Sequence, residues 1–147
     1  FPSGIGAIPV EITENQCPLY FKHKEFLPDS GGAGEWRGGM SQKIVSANRE
    51  PVPFAISAAT FDRMRFAAQG RDGGKPGSKG VACLGSGQVL PDKGIHLVPA
   101  GDSLVLELPG GGGFGDPAQR QRALLEADVR AGVVTEEAAR KAYGVQD

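Results

Sequence analysis

Five charged residues stand beside glycine-rich stretches that could present them to a ligand: Asp29, Arg37, Asp62, Arg63 and Lys75. Asp29 and Arg37 bracket "PDSGGAGEWRGG" (28–39), with Glu35 between them. Glycine density of this kind permits positive φ and close backbone approach, and rigid scaffolds tend to carry functional groups on such loops. An internal Asp–Arg pair bracing the loop is the competing reading. Further on, Arg63, Arg65, Arg71, Lys75 and Lys79 face only Asp62 and Asp72. A locally positive segment like this could hold a carboxylate or phosphate, with a solvated loop as the blander reading.

Other chemistries find less support. His23 and His96 are the only histidines, each in an apparent strand and without a neighbouring Cys/His/Asp cluster, so no metal site is expected within the chain. Ser30 precedes glycines but lies in no G-x-S-x-G elbow. Cys17 and Cys83 lack metal-ligand spacing. Two buried free thiols in a reducing cytoplasm is the expectation, with a disulfide as the alternative.

The stretch "SLVLELPGGGGFGDPAQRQRALLEADVRAG" (103–132) poses the sharpest question, because Gly110, Gly112 and Gly115 satisfy G-x-G-x-x-G. A dinucleotide site needs a strand, the glycines, a helix N-terminus with bare N–H groups, and then a second parallel strand. Only helices follow Gly115, Asp116 puts a carboxylate where phosphate would sit, and Pro117 removes an N–H. A strand-to-helix corner is therefore expected, and no cofactor within this chain.

The elements that must position these residues read as short strands joined by Gly/Pro turns. Strands are expected over 8–14, 19–27, 41–48, 52–61, 81–84, 87–90, 95–98 and 103–108, from β-branched, aromatic and alternating residues. In the second, Leu19, Phe21 and Leu27 are expected on one face, with Lys22 and Lys24 on the other. No helix intervenes, so the fold class is mainly β, an antiparallel sandwich- or barrel-like domain over 1–115. Residues 116–147 form a helical hairpin packed on it: Asp116 caps a helix with Pro117 at its first position, Gly132 stops it, and a second helix runs from Thr135 to Gly144.

Composition sets the outer bounds. The 147 residues suit one modest core. Net charge is −1, which gives no electrostatic reason to bind nucleic acid or an anionic membrane. No apolar run approaches the roughly 20 residues of a membrane span, and a cytoplasmic location is expected. The chain opens on Phe1, as a segment of something longer would. Apolar surface on such a segment predicts self-association, through Trp36, Phe66 or the Val133–Val134 turn.

Four segments, taken in order, resemble the C-terminal part of the hydantoinase B/5-oxoprolinase family: "IPVEITENQCPLYFKHKEFLPDSGGAGEWRGGM", "FDRMRFAAQGRDGGKPG", "LVPAGDSLVLELPGGGGFGDP" and "LLEADVRAGVVTEEAARKAYGV". The likeness runs from about Pro9 to Val145. It departs after Arg63, where "MRFAAQGRD" stands in place of a run of prolines and a tryptophan. The resemblance implies a B-type subunit paired with an ATP-binding A-type subunit, the two using ATP and a divalent metal to activate and open a cyclic amide. Relatives of the same kind carboxylate acetone or acetophenone. It further implies that this segment needs both the A-type subunit and the N-terminal part of the B-type subunit, and is not active alone. The resemblance assigns no catalytic residue here; Asp29, Arg37, Asp62, Arg63 and Lys75 are the candidates for lining a shared site or a subunit contact.

Overall fold

The computed structural model describes residues 8–58 and 61–144. It contains two antiparallel sheets and three short helices: α1 (Val10–Gln16), β1 (Leu19–Leu27), β2 (Ser41–Asn48), β3 (Phe54–Ser57), β4 (Val81–Leu84), β5 (Ile95–Val98), β6 (Ser103–Glu107), α2 (Arg122–Arg130) and α3 (Glu136–Tyr143). One sheet has the order β1-β2-β6-β4, the other is the ribbon β3-β5. Neither closes into a barrel; the arrangement is sandwich-like. Leu84, Leu104 and Ala82 from the larger sheet meet Val98, Phe54 and Ile56 from the ribbon in one apolar cluster. Each side chain of this size contributes on the order of 1.5–3 kcal/mol when fully buried.

The first expected strand, 8–14, is instead a helix. Val10, Thr13, Glu14 and Cys17 are half-buried while Glu11, Ile12, Asn15 and Gln16 are exposed, which is a helical period rather than alternation. Tertiary contacts override the β-branched residues: the Glu14 carboxylate accepts from Phe21 N–H at 2.8 Å and pairs with Arg49 at 2.8 Å. Cys17, preceding Pro18, is extended (φ −146°, ψ 161°) and ends the helix.

Within β1 the register against β2 shifts between Phe21 and His23. Partners directly opposite share a face, so Lys24, opposite Ile44, joins the face of Phe21, opposite Ser46. Leu27, opposite Ser41, falls on the other face, contrary to the simple alternation. The expected strand at 52–61 is ordered as β3 over Phe54–Ser57; Ala59 and Thr60 lie outside the described residues. At 87–90 only an isolated bridge forms, Cys83 to Val89.

Three glycine-rich stretches, 30–39, 68–78 and 108–115, lie backbone against backbone. Gly32 N–H donates to Gly111 O at 2.8 Å, Lys75 N–H to Ala33 O at 2.7 Å, and Gly113 N–H to Lys75 O at 2.9 Å, linking all three. A Cβ at Gly32, Gly38, Gly74, Gly110 or Gly113 would come within 3.0 Å of a carbonyl oxygen of a facing segment. Only glycine permits stretches to pack this closely.

At the tail, Asp116 accepts from Ala118 N–H at 3.0 Å and Pro117 opens a turn of 3₁₀ helix over Pro117–Gln119. The α-helix itself starts later, at Arg122, without a side-chain cap. Thr135 caps α3 through Ala138 N–H, and Gly144 (φ 70°) closes it. Leu125, Val134 and Ala139 form a second small core with Val129, Val133 and Tyr143. Val134 is therefore buried inside the hairpin, and the Val133–Val134 turn is not the exposed apolar patch expected of it.

Candidate functional site

The structure separates the five candidate residues into two groups. Asp29, Arg37 and Lys75 lie at the junction of the glycine stretches with the helical tail; Asp62 and Arg63 lie on the loop beneath β4.

At the junction, Asp29 adopts φ 59° and its carboxylate accepts from both Thr135 N–H (2.8 Å) and Thr135 Oγ1–H (2.7 Å). Its own N–H donates to Val133 O at 3.0 Å. Asp29 thus fastens the start of α3 to the first glycine loop. Arg37 donates through Nε to Asp128 Oδ2 at 3.2 Å and through Nη1 to Gly38 O at 2.7 Å. Arg120 reaches the same Asp128 oxygen at 2.6 Å and Glu35 O at 2.9 Å. The side chains of Arg37, Arg120 and Asp128 are only 20%, 8% and 14% exposed, so two largely buried cations share one carboxylate. Arg120 Nε is buried with no hydrogen-bond partner among the described residues. Burial pushes the Tyr143 phenol above its ordinary value, and the nearby Arg120 and Arg37 pull it the other way.

Lys75 is exposed, and with Asp29 and Tyr143 it lines a cavity of about 200 Å³ between glycine loop and α3. Its backbone is more deeply engaged than its ammonium, bonding to Ala33 and Gly113.

On the second loop, Arg63 adopts φ 52°, its N–H donates to Asp62 Oδ1 at 2.8 Å, and its guanidinium pairs with the same carboxylate at 3.6 Å. Arg65 pairs with Asp92 at 2.8 Å. Two open clefts of about 310 and 360 Å³ share Phe61, Asp62 and Met64.

Arg120, Asp128 and Thr135 were not among the sequence candidates. Asp128 carried a readable signal: it lies one helical turn from Leu124 and Leu125, four and three positions away, and an acid beside an apolar stripe requires a partner.

The glycine cluster is the strand-to-helix corner expected of it. N–H groups of Gly110, Gly111, Gly113, Phe114 and Gly115 donate to Ser78, Gly39, Lys75, Trp36 and Arg71 carbonyls, and a Cβ at Gly112 would come within 3.0 Å of Gln69 O. These donors are occupied by the protein's own backbone, so the segment does not fit a diphosphate cradle. Among the described residues no three His, Cys, Asp or Glu side chains converge as ligands of a metal would, and these residues do not fit a divalent-metal centre either. Both cysteines are free but half-buried rather than buried as expected, Cys17 Sγ donating to Thr13 O at 3.2 Å. No helix among the described residues is long and apolar enough to cross a membrane.

Comparison with known proteins agrees with this architecture. Caprolactamase subunit beta of Pseudomonas jessenii is 31% identical over 148 residues, covering 92% of this chain and 24% of that protein. The crystal structure of the ATP-dependent caprolactamase from Pseudomonas jessenii superposes with a TM-score of 0.77 at 26% identity, covering 95% of this chain and 25% of that one. A nucleotide-free acetone carboxylase structure shares the fold, with a TM-score of 0.69 at 21% identity over 96% of this chain and 23% of that one. The chain thus spans about a quarter of the length of these proteins. The hydantoinase B/oxoprolinase family profile matches residues 1–117, and the chain belongs to that family.

Proposed function

We propose that this chain is the C-terminal domain of the B-type subunit of an ATP-dependent enzyme that opens cyclic amides, and that it serves there as a scaffold without activity of its own. The observation that carries this reading is the use made of the charged candidates. Asp29 holds Thr135, Arg37 holds Asp128, and Arg63 pairs with the exposed Asp62, so four of the five are engaged by the protein's own groups, and Lys75 alone stands exposed at a cavity. The similarity to an enzyme whose printed name is ATP-dependent caprolactamase supports the substrate class, since caprolactam is a cyclic amide. ATP and a divalent metal belong, in this reading, to the A-type subunit and to the rest of the B-type subunit.

An unstrained amide is a poor electrophile, and phosphorylation of its oxygen activates the carbon. Water adds there, the C–N bond breaks with the ring nitrogen leaving as the protonated amine, and a second water hydrolyses the acyl phosphate to carboxylate and phosphate. Protein groups contribute to such a step by positioning and by electrostatics. The part this chain plays is to hold its loops rigid: three glycine stretches locked by backbone bonds, and a helical tail pinned to them by the Asp29–Thr135 and Arg37–Asp128 contacts.

The test is a reconstitution. The purified chain alone should show no ATP hydrolysis above buffer, and the assembled enzyme should open a lactam, a hydantoin or 5-oxoproline. Turnover by the chain alone overturns the scaffold reading. Bicarbonate-dependent carboxylation of acetone by the assembly would overturn the hydrolase reading in favour of a carboxylase.

A further inference from the structure

We propose that the outer face of the β3-β5 ribbon, carrying Ile95 and Leu97, is the surface on which the remaining three quarters of the B-type subunit seats. The inference rests on the reading above, that this segment belongs to such a subunit.

The face is defined by pairing. Phe54 opposes Val98 and Ile56 opposes His96, and Phe54, Ile56 and Val98 pack into the core. Ala55 opposite Leu97 and Ser57 opposite Ile95 must then point outward. Ile95 is 79% exposed and Leu97 61%. The inner face is anchored, so these two side chains cannot turn inward to escape water.

How the chain treats a strand it leaves in solvent supplies the contrast. Edge strand β1 also exposes an apolar side chain, Phe26, but sets it among Lys22, Lys24 and Glu25 on exposed positions, the charges by which sheet edges are kept from pairing. Among the described residues the outer ribbon face, Ala55, Ser57, Ile95 and Leu97, carries no charge. Both ribbon edges also lack a third strand among the described residues, and a two-stranded ribbon is marginal on its own. An uncharged apolar face with open edges suits a permanent contact of core-like character rather than a transient encounter.

Relatives identify the occupant. They match this chain over more than nine-tenths of its length, yet the matched part is only about a quarter of theirs. A polypeptide with three further quarters of its length places an obligate apolar contact within reach of the same chain.

The experiment introduces Leu97→Cys, with Glu50→Cys as an exposed control, into both the 147-residue chain and the complete polypeptide that carries it. Maleimide labelling is followed by peptide mass, which separates the new thiols from Cys17 and Cys83. Labelling at position 97 should be roughly tenfold or more slower in the complete polypeptide, because thiol reactivity follows exposure, while position 50 labels equally in both. As a second measurement, Leu97→Glu should lower the thermal midpoint of the complete polypeptide and leave that of the 147-residue chain unchanged. A complete polypeptide no longer than this chain would remove the subunit reading and the inference together. A polypeptide about four times as long with position 97 equally reactive would leave the reading standing and overturn the inference alone. Protection that disappears on dilution or on removal of the A-type subunit would overturn it too, by assigning the face to a second copy or to that subunit.

Discussion

Asp128 is the residue on which the tail depends most. Two guanidinium groups converge on its Oδ2, at 2.6 and 3.2 Å. Removing one partner of a largely buried ion pair leaves an uncompensated charge, which costs about 3–5 kcal/mol. Asp128→Asn should therefore lower the midpoint of denaturant unfolding by a corresponding amount, with loss of helix signal in the same transition. Thr135→Ala removes both a helix cap and a bond to Asp29, and about 1 kcal/mol should go with it in the same measurement. Asp102 gives a pH dependence. The Ser103 N–H first, and then the Ser86 hydroxyl, hold its carboxyl below the usual carboxylate range. A depressed carboxyl stabilises the fold above its unfolded value, and that contribution is lost as pH falls through the folded one. Acid unfolding of Asp102→Asn should accordingly be shallower below about pH 4 than that of the parent. The sequence marked Asp29 and Arg37 as meaningful, but their partners lie 106 and 91 residues away. Such pairing is set by the fold and by no local pattern.

At the scale of elements, the glycine stretches carry the clearest expectation. Gly32 faces the Lys75 carbonyl so closely that a Cβ would come within 3.0 Å, whereas a Cβ at Gly39 would meet nothing within 4 Å. Gly32→Ala should cost on the order of 4 kcal/mol or abolish folding, and Gly39→Ala should change stability by less than about 0.5 kcal/mol; paired thermal melts distinguish them. The glycines announced close approach or turns, and their clustering in 28–39, 70–80 and 110–115 is plain in the chain. That the three clusters meet one another was not. The same gap explains α1, whose β-branched residues favoured a strand until Glu14 found Phe21 and Arg49. It explains the bulge in β1 as well, since one extra residue exchanges the faces of everything beyond it.

For the whole molecule, the chain alone should neither hydrolyse ATP nor open a lactam, as a coupled phosphate-release assay on the purified protein would register. Its two small cores, one between the sheets and one inside the hairpin, are joined by Asp29, Arg37 and Arg120 rather than by apolar contact alone. The sequence by itself determined the mainly β class, most strand positions, the helical tail and the family, because alternation, turn residues and caps are local and the glycine motifs are specific. Only the tertiary structure decided what the charged residues do and which surface remains apolar. A carboxylate's partner, and the side of a ribbon that faces water, depend on where distant segments come to rest.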